Sequence, residues 1–124
     1  AGSIELQAPY FKRLGLDLDG YYAGTINLSI APSTFRIRQP LRQFQNMLWT
    51  DQHPPETFSF CQAELVWSGQ RHSGLVYYPH PETKRTHFQS NAVLELLAPE
   101  LSGLAYGDRL TIRLAPSEIE IFTA

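Results

Sequence analysis

With 124 residues, 43% of them hydrophobic and 18% charged, the chain has the make-up of one folded domain spanning residues 1–124 and not of a disordered segment. A formal net charge of −2 offers no basic excess for nucleic acid, and no apolar run approaches the roughly 20 residues that cross a bilayer. One cysteine, Cys61, excludes an internal disulfide, so the sequence reads as a cytoplasmic protein with a buried structural thiol.

Nine prolines and eight glycines divide the chain into short pieces rich in Val, Ile, Thr, Tyr and Phe, which favours strands over long helices. In chain order, residues 4–7 read as a short strand. Pro9 to Leu16 reads as a helix of about two turns, opened by the proline and stopped at Gly15. Strands follow at 24–30 and 34–38. Pro40 to Glu56 reads as a long irregular loop with a helical turn at 41–46. Residues 58–67 and 72–78 form a β-hairpin that turns at Ser68-Gly69. The run Ala92 to Ala98, short and closed by Pro99, is taken as a strand although its leucines also suit a helix. Gly107-Asp108 is a turn feeding a strand at 109–114, and a last strand is expected at 118–122.

Many short strands with one short helix in a chain of this size predict a mainly β fold, a small closed barrel, because closure removes sheet edges that would otherwise need protection. Within it, residues 21–30 carry the clearest chemical signal. Ile26, Leu28 and Ile30 alternate with Thr25, Asn27 and Ser29, so a hydroxyl and a carboxamide share one face just after Gly24. Such neutral oxygens suit hydrated Mg²⁺ or a phosphate better than a thiophilic metal. The same side chains also suit ordinary turn and strand hydrogen bonds.

Three patches together resemble the archaeal-type CTP-dependent riboflavin kinases. Tyr22-Ala-Gly-Thr-Ile-Asn-Leu28 is similar to that family's Tyr-x-Gly-Thr-Leu-Asn-Leu. Thr86 followed by Glu95-Leu-Leu-Ala-Pro99 is similar to its Thr and Glu-Ile-Ile-Ala-Pro. Leu104-Ala-Tyr-Gly-Asp-Arg-Leu-Thr-Ile112 is similar to its closing Leu-x-x-Gly-Asp segment. The resemblance implies a six-stranded cradle-loop barrel that moves the terminal phosphate of CTP to riboflavin, giving FMN. It implies that Thr25 and Asn27 hold Mg²⁺, that Thr86 and Glu95 contact the flavin, and that Gly2 belongs to a nucleotide-side glycine loop. The family's opening strand and most of its Gly-x-Gly loop have no counterpart in the residues from Ala1 onward. Glu100-Leu-Ser-Gly103 stands where the family has a longer basic segment.

No general base for the riboflavin hydroxyl is legible, and no catalytic residue is named. Glu95 in its apolar run either contacts flavin or pairs with an arginine such as Arg36 or Arg113. His53, His72, His80 and His87 lack zinc-site spacing. Tyr77, Tyr78 and Phe88 are candidates for stacking on a flavin ring, although packing accounts for them as simply. The alternative to an enzyme is a non-catalytic module that binds flavin, another small ligand or a protein partner.

Overall fold

The structure, a computed structural model, describes residues 3–83 and 90–123; the side chain of Thr83 is not among what it describes. Among the described residues the fold is mainly β, with one α-helix near the N-terminus and a single 3-10 turn at Pro81–Thr83. Helix α1 runs Ser3–Arg13 and buries Ile4, Gln7 and Phe11, a spacing that keeps all three on one face. The expectation of a strand at 4–7 and a separate helix from Pro9 is therefore corrected. Pro9 lies inside α1, and the polar Gln7 occupies a buried position where an apolar residue would have revealed the period.

Among the described residues eight strands follow: β1 Ile26–Ser29, β2 Thr34–Ile37, β3 Arg42–Met47, β4 Glu56–Trp67, β5 Gln70–Pro79, β6 Val93–Leu97, β7 Thr111–Leu114 and β8 Ile119–Phe122. The hairpin β4–β5 turns at Ser68-Gly69 as expected, with φ of 52° and 73° at those residues. Two consecutive left-handed residues make the turn whose twist matches antiparallel strands. Residues 92–98 hold a strand, β6. β3 overturns the expected irregular loop. Its sequence Arg-Gln-Phe-Gln-Asn-Met looks too polar for a strand, yet it pairs with β4. A register shift between Phe44 and Met47, with Asn46 at φ 52°, lets both apolar residues turn inward although they stand three apart.

The main sheet has the order β1-β6-β5-β4-β3, with β7 beside β3 on the same edge of β4; β2 and β8 form a separate ribbon. Among the described residues no ladder joins β1 back to β3 or β7, so these pairings do not close into the expected barrel. Alternation along β4 divides the interior. Phe58 and Phe60 face α1, where the Phe11 ring meets those of Phe44, Phe58 and Phe60 at 5.4, 5.3 and 4.9 Å. Cys61, Ala63 and Leu65 face the opposite way and pack with Phe35 and Ile119 of the β2–β8 ribbon. Glu118 ties that ribbon to β4: its carboxylate accepts from the Gln62 backbone N–H and from Gln62 Nε2–H, both at 2.7 Å.

No described helix is long and apolar enough to cross a membrane.

Candidate functional site

The face of the sheet that carries α1 also carries the residues singled out in β1 and β6. Ile26 and Leu28 pack into the core on the far face, so Thr25 and Asn27 project to the α1 side. Leu97 packs against α1, and Glu95, two residues earlier on β6, shares its face. Asn27 and Glu95 are direct partners across the β1–β6 ladder. Two segments far apart in sequence thus meet at one end of the sheet.

Thr25 Oγ1 donates to Asn27 Oδ1 at 3.0 Å. That separation is also the one between adjacent corners of an octahedron with metal–oxygen bonds of about 2.1 Å. The two oxygens therefore have the chemistry and spacing of neighbouring ligands on a hard cation. The loop before them is anchored by Tyr22 N–H donating to the Ala98 carbonyl at 2.9 Å, so β6 and β1 hold the Gly24-Thr25 corner between them.

Thr25 and Glu95 line a cavity of about 260 Å³ that α1 covers with its first turns, and Ala23 and Ile4 connect it to a hollow of about 500 Å³ between α1 and residues 17–23. Volumes of this order hold small molecules. Two further residues of the smaller cavity had no signal in the sequence reading. Gln7 accepts from the Tyr77 hydroxyl at 2.7 Å. Glu56 is only 7% exposed and accepts from the Trp49 indole N–H at 3.0 Å. Burial holds the Tyr77 phenol well above its ordinary value, and the charges of Glu95 and Glu56 push in the same direction. Two carboxyl side chains, Glu95 and Glu56, thus stand in the described part of the cavity wall, with Tyr77 kept as a hydrogen-bond donor.

Arg36 and Arg113 do not pair with Glu95. Arg36 bonds Glu120 at 3.2 Å across the β2–β8 ribbon, and Arg113 lies 3.8 Å from Glu64. Tyr77 packs between Phe58 and Phe60, while Tyr78 meets Phe35 edge-on on the far face. Thr86, Gly2 and Phe88, named for flavin and nucleotide contacts, lie outside the described residues.

A second polar chain escaped notice in the sequence. Ser59 Oγ lies 2.7 Å from His80 Nε2, and His80 Nδ1 lies 3.1 Å from Glu82 Oε2. These are the distances of a nucleophile, base and orienting acid. Ser59 is nevertheless fully buried and also accepts from Gln43 Nε2–H, so its hydroxyl is closed to any substrate and the chain serves packing. Among the described residues, no three His, Cys, Asp or Glu converge on a metal-sized space.

No family model, curated protein or solved structure matches this chain.

Proposed function

We propose that this domain is a riboflavin kinase-like phosphotransferase that moves the terminal phosphate of a nucleoside triphosphate to riboflavin, giving FMN. One observation carries the reading: Thr25 and Asn27 from one family-like segment and Glu95 from another stand together on one face, and Thr25 and Glu95 border one cavity. CTP is the donor to which the resemblance points. Mg²⁺ would be held by Thr25 Oγ1 and Asn27 Oδ1, completing its shell with phosphate oxygens and water and neutralising charge on the transferring group. Glu95 would accept hydrogen bonds from flavin N–H or ribityl hydroxyls. The reading carries with it that family's cradle-loop barrel, for which the six-stranded sheet would supply the wall.

The deciding experiment mixes the purified full-length protein with riboflavin, Mg²⁺ and each of the four nucleoside triphosphates, and separates the products by chromatography. FMN is expected, most of it from CTP. No FMN with any donor overturns the proposal.

A second reading, a module that binds flavin without turnover, draws on Glu100-Leu-Ser-Gly103, which puts an acid where the family-like pattern would favour bases for an anion site. Quenching of riboflavin fluorescence without FMN formation would select it.

A further inference from the structure

Transfer of a phosphoryl group to an alcohol calls for a group that takes the hydroxyl proton as the new O–P bond forms. We propose that Glu56 is that general base, an assignment that rests on the phosphotransferase reading. Glu56 opens β4, on the same sheet face as Phe58 and α1, and lines the cavity bordered by Thr25 and Glu95. The side chain is more than nine-tenths buried. A carboxylate is costly to bury unless its oxygens are satisfied or used. Oε1 is satisfied by the Trp49 indole, while Oε2 has no donor among the described residues. Since no buried side-chain oxygen is left unpaired among them, Oε2 keeps some accessible surface, and Glu56 is part of the cavity lining. The indole bond fixes the carboxylate at one oxygen and leaves the other presented to whatever occupies the space.

The other polar groups at hand are less suited. Tyr77 keeps its proton and donates it to Gln7. His80 is engaged with Ser59 and Glu82, and it does not border the cavity. Glu95 is the flavin contact in the reading above. In the proposed step the ribityl hydroxyl oxygen attacks the terminal phosphorus and its proton passes to Glu56 Oε2. The bond from that phosphorus to the bridging oxygen breaks, and the nucleoside diphosphate leaves with the electron pair.

The test compares wild type, Glu56→Gln and Glu56→Asp in the full-length protein. It reads FMN formation with CTP and Mg²⁺, and separately the affinity for riboflavin from quenching of the flavin's own fluorescence. Glutamine keeps an oxygen for the Trp49 N–H, so the melting temperature should stay close to wild type. Glu56→Gln is expected to lower kcat about 10²- to 10⁴-fold while riboflavin affinity stays within about threefold, with partial recovery in Glu56→Asp. If the glutamine variant melts early, the aspartate variant decides alone, through a kcat about tenfold down at unchanged affinity. A glutamine variant that folds and turns over within about threefold of wild type overturns the assignment and leaves the phosphotransferase reading standing. A loss of affinity that matches the loss of rate reduces Glu56 to a binding contact and likewise overturns it. Wild type that makes no FMN with any nucleotide overturns both.

Discussion

Asn27 is exposed at the outer strand of the sheet, and its side chain bonds to Thr25. Removing it costs the fold little and the proposed cation site one of two protein oxygens. Asn27→Ala is expected to weaken Mg²⁺-dependent CTP binding about tenfold or more, read by titration calorimetry, while stability falls by about 1 kcal/mol. A variant that unfolds instead would return Asn27 to a structural role. Cys61 makes a prediction about pH. Burial, reinforced by the Glu118 charge, pushes its thiol up from 9.0 to about 12. The native state therefore keeps a proton that the unfolded chain gives up. The stability tied to that proton is complete below pH 9.0 and drains away as pH rises toward about 12. Cys61→Ala should flatten the fall of denaturant midpoints with pH across that window, relative to wild type; an unchanged slope would rule this linkage out.

At the scale of elements, β5 and β6 approach closely at Gly74, where an added Cβ would collide with the Leu97 carbonyl oxygen. That oxygen belongs to backbone and cannot swing aside. Gly74→Ala is expected to destabilise by about 1–3 kcal/mol in chemical denaturation, since the two strands must part. The β4–β5 hairpin was legible because Ser68-Gly69 interrupts two runs of β-branched and aromatic residues, and its turn chemistry is local. Its converse is testable: Ser68→Asn, better suited to φ 52°, should raise stability by about 0.5 kcal/mol. Where structure depends on tertiary context the sequence was less informative. Gln7 hides the period of α1 because it is buried for the sake of the Tyr77 hydroxyl, a partner 70 residues away. β3 is hidden because its inward residues are spaced by a bulge that only pairing with β4 creates. Of the candidate site, Thr25 and Asn27 stood out by strand alternation, and Glu95 as an acid within an apolar run. Glu56, just after Pro54-Pro55, had no periodicity to mark it, and only the placement of β4 beside β5 and α1 brings it to the cavity.

For the molecule as a whole, the two hydrophobic clusters lie on opposite faces of one sheet, joined through β4, β5 and β6. The β2–β8 ribbon shares no ladder with that sheet among the described residues; it is held by apolar packing, by Glu118 and by the Phe35 N–H, which donates to the Asn91 carbonyl at 3.0 Å. Glu118→Ala would leave the Gln62 N–H without its acceptor, a loss of about 2 kcal/mol. Hydrogen exchange should then show the ribbon opening well before β4 and β5; uniform loss of protection would mean that the ribbon is not a separable unit.

The Trp49–Glu56 bond has a practical corollary. An indole whose N–H is tied to a wall of the cavity is a built-in optical probe, because its emission shifts when the field or wetness beside it changes. With Trp67 replaced by phenylalanine, the remaining tryptophan would register the arrival of even colourless molecules without any label. Candidate occupants could then be screened by eye of a spectrometer before any turnover assay is chosen.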